Sequence, residues 1–188
     1  MLYSSAVSRL RPPFLSDRYF FVTVRLLKER AKLVDADFHL LALGLNRSRA
    51  LHPFFLTAWV FLPDHLHAIC ASIYPLTISL VMKSIKASGM ILINRRRHES
   101  GELWQARFFD CAVRTLKEFN EKVEYIHLNP VKAGLVPMVA RTSAFEVRGS
   151  WGRSSVNEYS GMSAAEQKRR CGLTIDRVSM PSDPRTRI

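Results

Sequence analysis

The chain has 188 residues, a net charge of +12 and a hydrophobic fraction of 47%, which suits one ordinary domain with a sizeable core and excludes a wholly disordered chain. It holds no apolar run of about 18 residues, so we expect no membrane-spanning segment and no membrane partner. Arginines and prolines interrupt the N-terminal segment before a signal-peptide core develops, and we therefore expect a cytoplasmic protein.

Three cysteines, Cys70, Cys111 and Cys171, are odd in number and widely spaced. They form no CxxC pair, which structural zinc sites commonly use. This pattern favours free thiols in a reducing compartment over disulfides.

The excess of basic residues is the strongest global signal. The chain carries 28 lysines and arginines against 16 acidic residues, and its pI is near 10.2. Lysine and arginine gain affinity for phosphates through counterion release, so the composition indicates a nucleic-acid partner. For any single basic cluster, such as "NRRRH", a solvated charged surface is the alternative.

The chain divides into three parts by composition. We predict one folded domain over residues 18–145, preceded by a lead-in at residues 1–17. Residues 146–188 are richer in Ser, Gly, Arg and Pro, and we expect a basic, partly disordered C-terminal extension there.

The first half of the domain alternates strands with one helix. Residues 19–27 are dense in β-branched and aromatic side chains and predict a buried strand. A helix of about three turns is expected from about Asp35, with an aspartate available as N-cap, and it should end near "GLNRSR". Two more strands, at 54–62 and 65–72, are separated by a Pro-Asp pair that suits a tight hairpin.

The second half is predicted to hold a long helix at 77–98, a strand at 106–114 and a helix at 115–129. Thr115 is a candidate N-cap for the last helix, and Pro130 is expected to end it. The order β-α-β-β-α-β followed by a helix predicts an α+β fold of the ferredoxin-like, split βαβ type.

One face of the long helix carries Lys83, Lys86 and Arg97 and no acidic residue. Such a face suits a phosphate backbone, because three cations line up along it. An ordinary solvent-facing surface is an equally open explanation.

Two histidines stand out in "FLPDHLHAI". On a strand, His65 and His67 project to the same side and Leu66 to the other. Their ring nitrogens could converge on one divalent ion, although two ligands do not complete a site. The alternative is a pair of partly buried histidines that are hydrogen-bonded within the protein.

A second candidate cluster lies on the last helix. Tyr125 and Asn129 are four residues apart and share a helix face with Glu121, whereas His127 is turned well away from it. A phenol beside an amide oxygen combines a possible nucleophile with a possible metal ligand. A tyrosine at the edge of a packed helix, with an asparagine near the helix end, is the alternative.

Three separated motifs, "FLPDHLHAI", "LWQARFF" and "YIHLNPVKAGLV", occur in an order that resembles the single-tyrosine HUH transposases. The resemblance is closest to the branch called REP-associated tyrosine transposases, and it covers roughly residues 18–140. It implies a ferredoxin-like enzyme that cuts and rejoins single-stranded DNA near hairpins with the help of Mg²⁺ or Mn²⁺.

The resemblance also implies roles for individual residues. His65 and His67 correspond to the paired metal ligands, and Asn129 takes the place of the polar third ligand. Tyr125 corresponds to the nucleophile that forms a 5′-phosphotyrosine link. Lys122, one helical turn earlier, could assist.

Trp104 and Gln105 belong to the middle motif and could stack on and read a nucleobase. For Trp104, packing against the sheet is the alternative, because tryptophan buries a large apolar area. With Lys83, Lys86, Arg97 and Lys122, these residues form the predicted DNA-binding set.

The expected partner is single-stranded or hairpin DNA, bound by a monomer or a homodimer. A replication-initiator-like nicking enzyme would share the fold and the chemistry. A non-catalytic nucleic-acid-binding protein, such as a decayed transposase, would share the fold and the charge but not the chemistry.

Overall fold

A computed structural model describes residues 18–136, 153–155 and 176 of the chain. The predicted lead-in at residues 1–17 and most of the predicted extension lie outside the described residues, so the predicted domain boundaries stay a prediction. Seven elements form the described fold: β1 (Tyr19–Arg25), α1 (Asp35–Leu51), β2 (Phe54–Phe61), β3 (His65–Ser72), α2 (Ile78–Arg97), β4 (Phe109–Val113) and α3 (Leu116–Lys132).

The four strands form one antiparallel sheet in the order β2-β3-β1-β4. The strand β3 therefore lies between β2 and β1, although β1 and β2 are joined through α1. This arrangement is the predicted split βαβ topology, and the α+β, ferredoxin-like prediction is confirmed.

The sheet is apolar on both faces, and alternation along each strand separates the two cores. One face, which includes Phe20, Val22 and Leu66, packs with α1 and α2. The other face, which includes Phe21 and Ile69, packs with α3. The helix α3 and the two histidines of β3 therefore lie on the same side of the sheet.

The helix α1 is longer than the predicted three turns, since it runs to Leu51. Its N-cap is Val34 and not the predicted aspartate, and the Asp37 carboxylate, three residues on, accepts from the Val34 N–H at 2.9 Å. Near the other end, Ser48 is buried and its Oγ donates to Ser88 Oγ on α2 at 3.1 Å. Packing against α2 therefore extends the helix beyond what its local pattern predicts.

The helix α3 continues through Pro130 to Lys132, so the predicted end at residue 129 is wrong. A proline lacks its own N–H donor, and its ring crowds the carbonyl of the residue four positions earlier, so the helix loses one hydrogen bond at this point. Pro130 is buried, and its carbonyl oxygen accepts from the Leu135 N–H at 2.9 Å. The chain leaves the helix at Gly134, whose φ of 67° is a left-handed conformation that glycine adopts without strain.

The strand β4 is shorter than the predicted 106–114. The carbonyl oxygens of Gln105 and Ala106 accept hydrogen bonds from Lys86 Nζ, at 2.7 Å and 2.9 Å. A side chain from α2 therefore holds the residues that lead into the strand.

A buried ion pair joins the start of α1 to the end of α2. The Asp37 side chain is fully buried and accepts from Arg97 Nη2 at 2.6 Å and from Arg96 Nη2 at 2.7 Å. Burial alone would raise the pKa of the Asp37 carboxyl, but hydrogen bonds from Arg97, the Val34 N–H and Arg96 outweigh it, and the pKa is lowered.

We expect Arg97→Ala to destabilise the fold by about 3 kcal/mol, because it removes one partner of a buried carboxylate while Arg96 remains. Chemical denaturation with urea measures this loss. The matched control is Arg95→Ala, an exposed neighbour on the same helix, which should change stability by less than about 0.5 kcal/mol. Equal effects of the two substitutions would contradict a structural role for the ion pair.

Candidate active site

The two histidines of β3 face each other on the α3 side of the sheet. Their Nε2 atoms are 3.1 Å apart, and the rings meet edge to face with centroids 4.7 Å apart. Leu66, between them in sequence, is buried in the core on the opposite face. The structure thus brings His65 and His67 together as the strand alternation predicts.

Each histidine is oriented by a hydrogen bond at its other ring nitrogen. His65 Nδ1 donates to the Asp64 carboxylate at 2.6 Å, since an ionised carboxylate only accepts. This bond leaves the lone pair of His65 on Nε2. His67 Nδ1 shares a hydrogen bond of 2.8 Å with Thr23 Oγ1. Thr23 lies directly opposite His67 in the β1–β3 register, which explains why that hydroxyl is the partner.

His67 is kept neutral by its surroundings. Its side chain is only 3% exposed, and desolvation lowers its pKa from 6.5 to about 3, with further lowering by the positive charge of Arg25 and by that of His65 whenever His65 is protonated. A neutral imidazole retains one ring lone pair, which is the form that binds metal ions.

Tyr125 lies beside this pair within the same chain. Its ring centroid is 5.4 Å from that of His67 and 5.7 Å from that of Phe21, in both cases edge to face. Phe21 in turn stacks on His67 at 5.3 Å. The tyrosine is 39% exposed, so one side of its ring packs on the sheet while another reaches the solvent.

The other polar residues of α3 have different surroundings. Asn129 is buried, and its Nδ2 donates to the Tyr125 carbonyl oxygen at 3.3 Å, whereas Glu121 is exposed. His127 is buried on another face of the helix, where its Nε2 lies 3.0 Å from Ser155 Oγ. The role of Asn129 as a metal ligand stays a prediction.

Within residues 18–136, 153–155 and 176, no group of three or more His, Cys, Asp or Glu side chains is arranged to hold a metal ion. An ion at the two histidines would therefore need other kinds of ligand as well. In the same part of the chain, no helix is long and apolar enough to cross a membrane.

The two predicted DNA-binding residues of the middle motif, Trp104 and Gln105, make contacts within the protein. Trp104 is 2% exposed, packs in the α1–α2 core and donates its Nε1–H to the Lys86 carbonyl oxygen at 3.2 Å. The Gln105 side chain donates to the Leu26 carbonyl oxygen at 3.2 Å. These positions favour the packing alternative for Trp104 and disfavour base reading by either residue.

The predicted basic residues divide into bound and exposed ones. Arg97 is 8% exposed on its side chain and bonded to Asp37, which disfavours the predicted phosphate contact. The Lys86 ammonium donates hydrogen bonds to two backbone carbonyl oxygens, and desolvation lowers the pKa of Lys86. Lys83 is exposed on α2, on the sheet face opposite to the histidines. Lys122 lies over the Phe21 ring, with Nζ 5.1 Å from its centroid.

Several residues around the tyrosine escaped the sequence analysis. Lys132 Nζ lies 4.8 Å from the centroid of the Tyr125 ring, and its spacing of seven residues along the helix is a signal that could have identified it. Asp64 adjoins His65 in sequence, where the Pro-Asp pair predicts only a turn. Thr23 and Phe21 depend on strand pairing, which local sequence does not reveal.

No family model matches the chain, but it is similar to two proteins of known family. A REP-associated tyrosine transposase from Escherichia coli is 29% identical over 136 residues, covering 71% of this chain and 79% of that protein. A protein from Haemophilus influenzae that bears the same family name is 26% identical over 150 residues, covering 71% and 81%.

A solved structure of a REP-associated tyrosine transposase bound to a REP hairpin has the same fold. Its TM-score is 0.66 at 23% sequence identity, and the match covers 94% of this chain and 95% of that one.

The depressed pKa of His67 predicts a pH dependence of stability. The folded state holds this group with a pKa of about 3, against 6.5 as its ordinary value, so between these values the unfolded state binds the proton more readily. Its contribution to stability is complete above pH 6.5 and is lost as the pH falls towards 3. Urea denaturation across this range in the presence of a chelator should show the loss, and His67→Gln should show less of it. A pH profile unchanged by His67→Gln would contradict the assignment.

Proposed function

Because the chain is 29% identical to a REP-associated tyrosine transposase over 136 residues, we propose that it belongs to that family and that it cuts and rejoins single-stranded DNA with Tyr125 as the nucleophile. The observation that carries the proposal is the contact between the Tyr125 ring and the paired histidines of the same chain, with 5.4 Å between the Tyr125 and His67 centroids. A tyrosine beside two convergent imidazoles on a strongly basic protein suits metal-assisted phosphoryl transfer.

The histidine pair fits a divalent ion, for which we propose Mg²⁺ or Mn²⁺. Two ligand atoms at about 2.1 Å from one ion and at right angles to each other are about 3.0 Å apart. The two Nε2 atoms are separated by 3.1 Å, and the second nitrogen of each ring is already held by Thr23 or Asp64. When bound, the ion would polarise a phosphodiester oxygen and offset negative charge in the transition state.

Asn129 is the proposed third ligand, through its side-chain oxygen. The hydrogen bond to the Tyr125 carbonyl oxygen uses the nitrogen of the amide and leaves Oδ1 as the group for this role. Water and DNA oxygens would supply the remaining ligands, since the described residues hold no carboxylate cluster at this point.

The chemical step requires a phenolic oxygen that can reach phosphorus. Tyr125 Oη would form a bond to phosphorus while the bond from phosphorus to the 3′-oxygen breaks, and the phenolic proton would be lost as the 3′-oxygen gains one. The product is a 5′-phosphotyrosine link and a free 3′-hydroxyl, and the reverse attack rejoins a strand. Lys132 supplies positive charge beside the ring.

Hairpin DNA is the proposed substrate class, with cleavage in an unpaired strand beside the hairpin. The net charge of +12 supports a nucleic-acid partner, and a solved protein of the same fold was captured with a REP hairpin. Lys122, one helical turn before Tyr125, and the exposed Lys83 are the proposed phosphate contacts that the structure leaves accessible.

We expect the protein to form a denaturation-resistant adduct with single-stranded hairpin oligonucleotides in the presence of Mn²⁺. Tyr125→Phe should abolish the adduct, because it removes the attacking oxygen. His65→Ala should lower the yield strongly, because it removes half of the histidine pair. Gel electrophoresis under denaturing conditions, with labelled DNA, measures both effects.

Two exposed residues provide matched controls for this experiment. Tyr74→Phe and His39→Ala alter the same residue types elsewhere on the surface and should leave the adduct yield unchanged. An undiminished adduct in Tyr125→Phe would refute the nucleophile assignment. Tight DNA binding by wild type without any adduct would favour the non-catalytic alternative.

The Thr23 hydroxyl should matter for metal binding through His67. We expect Thr23→Val to weaken Mn²⁺ binding by about 10-fold or more, because the hydrogen bond that orients the imidazole is lost at nearly constant volume. Isothermal titration of the metal measures this directly. The control is Thr57→Val, a buried threonine of β2 whose hydroxyl donates to the Ile69 carbonyl oxygen. Similar Mn²⁺ affinities for the two variants would contradict the role of Thr23.

A further inference from the structure

Phe109 is a large apolar side chain that the fold leaves open to solvent. It opens β4 at the edge of the sheet and is 59% exposed, which makes it one of the most exposed large hydrophobic residues described. Packing of the core alone does not account for a phenylalanine at this position, because more than half of its surface is open to solvent.

Strand pairing places this ring on the same side of the sheet as the histidines. Phe109 is the direct partner of Thr23 in the β1–β4 register, and Thr23 is the direct partner of His67 in the β1–β3 register. Directly opposed residues of antiparallel strands point to the same face. Phe109, Thr23 and His67 therefore form one row across three strands, about 10 Å from end to end.

The ring also continues an aromatic surface that starts at the tyrosine. Phe109 meets Phe21 edge to face, with centroids 6.3 Å apart, and Phe21 contacts both Tyr125 and His67. Phe109 is the outermost ring of this set.

Four basic side chains lie on the aromatic surface or close to it in sequence. Lys122 lies over Phe21 and Lys132 over Tyr125, while Arg25, at the end of β1, and Arg107, two residues before Phe109, are both exposed. Exposed aromatic rings among basic side chains are the arrangement with which proteins hold single-stranded nucleic acids, the bases stacking on rings and the phosphates facing the cations.

We propose that Phe109 is a stacking platform for an unpaired base of the DNA strand that enters the Tyr125 site. The base lies on the exposed face of the ring, and the backbone then runs along the row towards the histidine pair. This inference rests on the proposed function, because that function defines which strand occupies the site. Phe109 acts here as a positioning residue, since it touches the substrate away from the reacting phosphate.

Binding measurements separate this role from cleavage. In a Tyr125→Phe background, hairpin oligonucleotides with 2-aminopurine placed at successive unpaired positions report stacking by loss of fluorescence. We expect strong quenching at one position, which disappears in Phe109→Ala and persists in Phe109→Trp. Phe109→Ala should weaken DNA binding roughly 5- to 150-fold, as expected for the loss of one stacked base.

An abasic nucleotide at the quenched position provides a second test. If Phe109 stacks on that base, the protein that retains Phe109 should bind abasic DNA more weakly than normal DNA. The Phe109→Ala variant should bind the two DNAs equally well. The control is Ile91→Ala, which truncates a side chain that is 60% exposed on α2, the helix on the other sheet face, and should leave binding and quenching unchanged.

The outcomes distinguish failure of this inference from failure of the proposed function. Suppose that the protein with Tyr125 intact forms the adduct and that Phe109→Ala leaves DNA affinity unchanged. The stacking proposal would then be wrong, and the cleavage proposal would be supported. Position-specific quenching that requires Phe109, without any adduct, would support stacking and overturn cleavage. If Phe109→Ala altered only the oligomeric state in sedimentation experiments, the ring would serve contact between copies, and the stacking proposal would be wrong.

Discussion

The antiparallel pairing of β1 with β3 is the constraint on which the candidate site depends. Because the period of a strand is two, one choice of register sends every second side chain of both strands to the same face. The observed register sends Leu66 into the α1–α2 core and brings Thr23 against His67. A slip by one residue would bury polar imidazoles among apolar side chains, so the hydrophobic core and the histidine pair enforce the same alignment.

The position of the tyrosine follows from that alignment. Val123 and Ile126 of α3 need an apolar surface, and the face of the sheet that carries Phe21 and Ile69 provides it. Tyr125 lies between these two anchors in sequence, so it comes down near His67 while remaining partly exposed. Nonspecific apolar packing of α3 on the sheet thereby fixes the position of Tyr125 beside His67.

Local patterns predicted the parts of this protein that depend on short-range geometry. The shared face of His65 and His67 follows from strand alternation alone, and the order of elements follows from periodicity. Local patterns are least informative where tertiary contacts override local preference. Arg97 looks like a phosphate ligand in a basic run, yet a buried Asp37, sixty residues earlier, occupies it. The hydrogen bond between the Thr23 hydroxyl and His67 could not be predicted, because nothing near His67 in sequence shows which strand pairs with its own.

The location of Tyr125 and the histidine pair within one chain has a consequence for how such a site responds to dilution. A site assembled from two copies is lost when the copies dissociate, so the fraction of molecules with an assembled site falls as the protein is diluted. For a site contained in one polypeptide, the fraction of molecules with an assembled site does not depend on protein concentration. The contact between Tyr125 and His67 would then persist in each molecule, however few copies are present.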